Sequence, residues 1–193
     1  MGDAFVARML ELAQQRQAEF QPSRVGRGDG RVDTKERVSL RFANFDKDFR
    51  AEIEPTFTSA MMETAPALGV PPFTPVRAEL ELVAYGDGDF QAPHLDTQTR
   101  GARDASDRAM TAVYYFYATP KAFQGGEFRL FSMLPPEQGG SFVDVAPESD
   151  TLVLFPSWAR HEVRPLVSPG TLFGQSRFAL IWWFHRRRDA QTT

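Results

Sequence analysis

Residues 76–96 read VRAELELVAYGDGDFQAPHLD. A run rich in aliphatic residues ends at Tyr85, a Gly-Asp-Gly-Asp turn follows, and a second run closes on His94 and Asp96. Two strands joined by a turn is the reading such punctuation supports. The pattern continues downstream through 109–118 (AMTAVYYFYA), 127–132 (EFRLFS), 141–145 (SFVDV), 151–156 (TLVLFP), 160–165 (RHEVRP) and 177–185 (RFALIWWFH). With 76–85 and 90–97 this makes eight strands, each bounded by Gly, Pro or Asp. Such a series predicts a double-sheet jelly roll or a barrel.

Upstream the pattern turns helical. Asp3 is placed to cap a helix running to about Phe20, with Phe5, Val6, Met9, Leu10 and Ala13 on one stripe, and Gln21-Pro22 ends it. Residues 24–33 (RVGRGDGRVD) read as a glycine-rich turn. The Arg27-Gly28-Asp29 tripeptide within them is no phosphate loop, because no strand precedes it and no lysine-bearing helix follows. Val38–Phe42 suits a short strand. A second helix is expected over about 46–67, with Phe49, Ile53, Phe57, Ala60 and Met61 on one face and Pro55 bending or interrupting it. The expected fold class is therefore mainly β with flanking helices, the N-terminal helices packing on one sheet. One domain over 1–193 is expected, with 1–75 as a helical support region and 76–185 as the jelly-roll core.

Composition narrows the chemistry. The 193 residues include no cysteine and three histidines, so a metal could be held only by imidazole, carboxylate or other oxygen ligands. The 22 basic and 25 acidic residues give a net charge of −3, with no footprint for a polyanion. There is no run of 18 apolar residues and no signal-peptide pattern, and Val6 stands where a myristoylation motif needs Ser or Thr. A cytoplasmic protein without nucleic-acid or membrane partners is expected; the oligomeric state stays open.

His94 and Asp96 are two apart on an expected strand, where side chains share a face. His161, opening a strand 65 residues after Asp96, is the natural third ligand. Two imidazoles and a carboxylate suit ferrous iron and leave coordination positions open. A lone His-x-Asp is more often a turn or a surface pair, so the motif needs further support. Calcium binding by Asp87 and Asp89 lacks the remaining ligand positions of such a loop.

That support comes from the order of pieces: AYGDG at 84–88, HLD at 94–96, TAVYYF at 111–116, GGEFRLF at 125–131, DVAPESDTLVLFPS at 144–157, HEVRP at 161–165 and RFALIWWF at 177–184. From Tyr85 to His185 the chain resembles the Fe(II)- and 2-oxoglutarate-dependent dioxygenases of the prolyl 4-hydroxylase type, including the hypoxia-factor prolyl hydroxylases. The resemblance implies a double-stranded β-helix with His94, Asp96 and His161 as catalytic metal ligands. It also implies that Arg177 pairs with the distal carboxylate of 2-oxoglutarate, that Tyr115 reaches the same carboxylate, and that Tyr85 lies near the keto-acid end. Trp183 shares a strand face with Arg177, whereas Tyr114 faces the other way and reads as core.

The cofactors implied are Fe(II), 2-oxoglutarate as cosubstrate and O2, with ascorbate as a candidate reductant. Oxidative decarboxylation would release succinate and CO2 and hydroxylate an unactivated C–H bond. Asp96 favours hydroxylation, because halogenating relatives carry a small residue there. The substrate expected is a small molecule, an amino acid or natural-product intermediate. The alternatives are a prolyl residue of a peptide or protein and, from another class, a non-catalytic cupin-like metal- or ligand-binding module. Loops 98–108 and 133–140 should flank the pocket, and 166–176 is longer than close relatives need. His185 is expected at the polar end of its strand, leading into solvated Arg186–Arg188.

Overall fold

Side-chain alternation along three neighbouring strands sets the layers of the molecule. The computed structural model describes residues 1–26, 30–97, 106–134, 136–170 and 172–188; the Arg27-Gly28-Asp29 tripeptide and residues 98–105 lie outside them. The larger sheet runs β1 (Gln21–Pro22), β3 (Leu40–Phe42), β4 (Arg77–Tyr85), β13 (Arg177–Arg187), β6 (Ser106–Phe116), β10 (Thr151–Pro156). The smaller runs β2 (Arg37–Val38), β5 (Phe90–His94), β11 (His161–Val163), β8 (Phe128–Phe131), β9 (Phe142–Val145). A two-stranded ribbon pairs β12 (Leu166–Val167) with β7 (Gln124–Gly125).

The eight strands expected from sequence are all present. They form two four-stranded layers, β4-β13-β6-β10 and β5-β11-β8-β9, of a double-stranded β-helix. On β13, Phe178, Leu180, Trp182 and Phe184 face outward into a core shared with the helices, while Ala179, Ile181 and Trp183 face the smaller sheet. β4 and β6 alternate in step: Leu82, Ala84, Met110, Ala112 and Tyr114 lie outward, and Val83, Tyr85, Val113 and Tyr115 inward. The period of two thus makes one sheet serve both a packing face and a site face.

The outward face is covered by α1 (Asp3–Gln15) and α2 (Lys47–Thr64). Fully buried Phe57 on α2 stacks on Trp182 with ring centroids 5.3 Å apart, and Met9 and Ala13 on α1 close the other end. Burying side chains of this size stabilises by roughly 1.5–3 kcal/mol each. Asp46 caps α2 through its side chain, accepting from Phe49 N at 2.7 Å. Asp3 makes no such bond; it is the first helical residue, and its charge instead complements the helix dipole.

Two local expectations change. Pro55 does not interrupt α2, which runs 18 residues through it. The strand expected over Val38–Phe42 is two strands, β2 and β3, which belong to different sheets. Ser39 between them is buried and bonded to Ser23 Oγ at 2.8 Å, so the chain changes sheet there. No helix among the described residues is long and apolar enough to cross a membrane.

Candidate active site

The antiparallel ladder brings the two histidines together: His161 on β11 is directly opposite His94 on β5. Their ring centroids are 4.1 Å apart, and the ligand atoms of His94, Asp96 and His161 all lie within 4.8 Å of one another. His94 Nε2 is 3.6 Å from Asp96 Oδ1, and His161 Nε2 is 3.7 Å from Asp96 Oδ2. In each histidine Nδ1–H donates to a carbonyl two residues upstream, Ala92 for His94 and Ala159 for His161, both at 2.9 Å. Those bonds leave each Nε2 unprotonated, the tautomer a metal ligand requires; that of His94 accepts from the Gln91 amide, a bond that a metal would replace.

Asp96 arrives by another route than the strand pattern suggests. β5 ends at His94, and Asp96 sits in a bend pinned by two bonds to one carbonyl: Asp96 N at 2.9 Å and Thr97 N at 3.0 Å both donate to Ser157 O. Thr111 Oγ1 donates to Asp96 Oδ2 at 2.8 Å, which fixes the carboxylate. Burial works against the Asp96 charge, but His94, His161 and Arg108 outweigh it and hold the carboxyl well below the usual carboxylate range. Burial pushes His161 down to about 4, with His94 acting in the same direction and Asp96 against it. At neutral pH the trio is thus one carboxylate and a neutral His161, the protonation states metal binding needs.

The second half of the site lies on the larger sheet. Arg177 opens β13 directly opposite Tyr85 and is only 1% exposed. Its guanidinium carbon lies 4.6 Å from the Tyr85 ring centroid and 4.7 Å from that of Tyr115. Arg177 Nε and Nη1 and the Tyr115 hydroxyl are buried without a hydrogen-bond partner. Burial raises the Tyr115 pKa, with the Arg177 charge acting the other way, so the hydroxyl stays a donor. A buried cation with free N–H groups beside a free O–H is matched to a carboxylate. His94, Asp96, His161, Tyr85, Tyr115 and Arg177 all line one cavity of about 840 Å³ between the sheets. The donors present therefore fit both a divalent metal and a dicarboxylate cosubstrate.

Residues 80–185, more than half the chain, match the family described as the 2OG-Fe(II) oxygenase superfamily. The chain belongs to that superfamily. Its members use Fe(II), 2-oxoglutarate and O2. The chain is 34% identical over 126 residues to an uncharacterized PKHD-type hydroxylase of Synechocystis sp., a stretch covering 63% of this chain and 41% of that protein. The match thus spans about two fifths of that relative's length. A prolyl-4-hydroxylase of Pseudomonas putida superimposes with a TM-score of 0.64 at 24% identity, over 98% of this chain and 89% of that one. The non-heme alpha-ketoglutarate-dependent epimerase SnoN of nogalamycin biosynthesis gives 0.61 at 17% identity, over 100% and 79%. At these identities the likeness to the two structures is one of fold.

Several neighbours of the candidate site carry no motif. Gln91 Nε2 donates to His94 Nε2 at 2.9 Å, and Tyr85 OH donates to Gln91 Oε1 at 3.4 Å, so one amide links the two sheets. Thr111 had a faint signal, the one aliphatic hydroxyl in the run TAVYYF. Arg108, expected on a loop, is on β6 with its guanidinium carbon 4.1 Å from the Trp183 ring centroid. His185, expected to end its strand, is buried within β13, which runs on to Arg187: its Nε2 donates to Glu79 Oε1 at 2.7 Å, and Arg77 and Arg108 also bond that carboxylate.

Burial alone would raise the Glu79 pKa, but its bonds to His185 and Arg108 hold it down at about 2, against 4.5 when unpaired. A depressed carboxyl contributes stability above its unfolded pKa and loses it as pH falls toward the folded one. Glu79→Gln is therefore expected to lower the urea midpoint at pH 7, with the gap to the parent closing between pH 4.5 and 2. A gap that persists unchanged at pH 2 would show that packing, not charge, is the contribution of Glu79.

Proposed function

We propose that this chain is an Fe(II)- and 2-oxoglutarate-dependent hydroxylase acting on an unactivated C–H bond of a small molecule, with release of succinate and CO2. His94, Asp96 and His161 would hold the metal, Arg177 and Tyr115 the distal carboxylate of 2-oxoglutarate, and Tyr85 its keto-acid end. Reading the 193 residues as one functional unit, located in the cytoplasm, belongs to the same proposal. The observation that carries it is the pairing, in one cavity, of a His-Asp-His cluster with a buried guanidinium and hydroxyl that have no other partner. A non-catalytic cupin-like module would account for the cluster but not for the guanidinium.

When bound, the iron supplies the oxidative chemistry: one oxygen atom of O2 ends in succinate as 2-oxoglutarate loses CO2, and the other ends in the hydroxyl group. The chain's own residues bind, orient and desolvate. The Ala92 and Ala159 carbonyls fix the imidazole tautomers, and Thr111 fixes the Asp96 carboxylate. Arg177 and Tyr115 orient the cosubstrate from the far end, where a planar fork holds a carboxylate in one plane. Phe128, Phe155 and Val163 form the apolar wall beside His161 that keeps water out. Asp96 occupies the position that a halogenating enzyme leaves for an anion, which supports hydroxylation.

The test is spectroscopic and chemical. Anaerobic Fe(II) with 2-oxoglutarate should give a weak visible charge-transfer band in the wild-type protein. His161→Ala should lose the band, and its succinate formation should fall to the level of metal-free protein. A folded wild-type protein without the band, or a His161→Ala variant forming succinate at the parental rate, sinks the proposal. With ascorbate as reductant, a substrate screen should then find a small molecule that gains one oxygen atom; stoichiometric turnover of a prolyl peptide alone would replace the substrate class by a peptide.

A further inference from the structure

The cavity between the sheets extends past the metal-ligand cluster, and arginines line that extension. Three of them are matched by carboxylates: Arg41 bonds Glu81 at 3.1 Å, Arg77 bonds Glu79 at 3.0 Å, and Arg108 bonds Glu79. Arg37 is different. It is 7% exposed, its Nε donates to Ser39 Oγ at 3.1 Å, and its Nη2 is buried without a hydrogen-bond partner. No carboxylate among the described residues bonds it.

The sheet register says where that guanidinium points. Arg37 on β2 lies directly opposite Gln91 on β5, and Gln91 lies opposite Val163 on β11. Residues directly opposite one another share a face. Val163 belongs to the core between the sheets, and the Gln91 amide donates to His94 Nε2, so this row faces the cavity. Arg37 therefore stands two strands from His161, on the wall the cluster occupies, beside the Gln91 amide that accepts from Tyr85 OH. Ser39, itself held by Ser23, fixes the stem of the fork.

We propose that Arg37 anchors the substrate of this oxygenase and that the substrate is a small molecule bearing a carboxylate. The proposal rests on the hydroxylase reading and adds the substrate class to it. A buried guanidinium with a free N–H is costly unless an anion meets it, and hydrogen bonding to serine does not neutralise it. Arg177, on the larger sheet, presents the same unsatisfied chemistry, so saturating it with the cosubstrate leaves Arg37, on the smaller sheet, as the second unpaired cation of the cavity. Glu36, Glu79 and Glu81 also line the cavity and disfavour a phosphate dianion beside Arg37. A guanidinium set into the cavity wall rather than its rim suits the charged end of a compact molecule, which has a carboxylate where a peptide chain has an amide.

The test uses the full chain loaded with Zn(II) and saturated with 2-oxoglutarate, so that Arg177 is occupied, and titrates acetate. The arginine Nε–H resonance that disappears in Arg37→Gln reports on the site directly. We expect it to shift saturably with acetate, and Arg37→Gln to weaken acetate binding, followed by methyl line broadening, at least tenfold. Arg37→Lys keeps the charge without the fork and should weaken it severalfold, which keeps the test readable if Arg37→Gln does not fold. Acetate binding unaffected by either variant overturns the assignment. So does preferential binding of inorganic phosphate, or displacement of acetate by an N-acetylated, C-amidated prolyl peptide. Failure of Zn(II) or 2-oxoglutarate to bind would count against the hydroxylase reading instead, because the Arg37 signal can be followed without them.

Discussion

Arg177→Met is expected to lower the affinity for 2-oxoglutarate by about two to three orders of magnitude while slightly stabilising the ligand-free protein. The first part follows from the proposed partner. Removing one member of a buried, hydrogen-bonded charge pair costs roughly 2–5 kcal/mol, and every 1.4 kcal/mol is about tenfold in binding. The second part follows from what Arg177 lacks in the free protein. Its Nε and Nη1 are buried without partners, and its compensation comes from the Tyr85 and Tyr115 rings flanking it. Desolvated cation–π contacts are worth about 2 kcal/mol or more each and burying a guanidinium costs several, so the two nearly cancel with a small net cost. Methionine keeps comparable volume and removes the charge, so a gain of about 1 kcal/mol is expected, or about 2–4 °C in Tm for a chain of this size. Calorimetric titration of 2-oxoglutarate and a thermal melt check both halves. Unchanged affinity would remove Arg177 from the site, and a melt lowered by many degrees would make it a structural residue.

The fold was legible because each of the eight strands carries its own signal: apolar alternation or an apolar run, closed by Gly, Pro or Asp. Ladder register is another matter. The side-chain spacing of His94 and Asp96 put the two together for an incomplete reason: they meet because a bend tied to Ser157 O turns Asp96 back, not because a strand continues through both. Arg37 and Gln91 carry no signal in the sequence and Thr111 only a faint one, since each is placed by what lies opposite it or across the sheets. His185 was misread for a related reason. Three arginines follow it in sequence, but its nearest partner is Glu79, 106 positions away on the neighbouring strand. Val38–Phe42 looked like one strand because period-two alternation does not reveal that a chain changes sheet at Ser39. Single-strand patterns report which face a residue is on; they do not report its neighbours on that face.

Gly125→Ala is expected to be the most destabilising single-methyl change in the strand region, by about 3 kcal/mol or more. Gly125 has φ +74°, and a Cβ there would lie 2.5 Å from the Pro165 carbonyl oxygen. The backbone conformation alone costs a non-glycine residue roughly 1–2 kcal/mol. The clash is with backbone, and that backbone is committed: Leu166 is paired with Gly125 in the ribbon, and Gly126 N donates to Pro165 O at 3.2 Å. Relief would have to move the turn that links the His161 strand to the Arg177 strand. At about 3 kcal/mol the melt should fall by roughly 6–12 °C. Gly139→Ala separates the two causes, because Gly139 has φ +83° but nothing within 4 Å of its added Cβ; it should show the conformational cost alone. Gly126→Ala should behave differently again. Its Cβ would meet Leu166 Cδ1 at 2.8 Å and Arg177 Cδ at 3.3 Å, both side-chain atoms that can give way. The displacement falls on the guanidinium, so 2-oxoglutarate affinity should drop more in Gly126→Ala than in Gly125→Ala, although its melt is higher. Equal melts for Gly125→Ala and Gly139→Ala would show that the Pro165 contact is not rigid, and the ribbon would lose its place as the strut between His161 and Arg177.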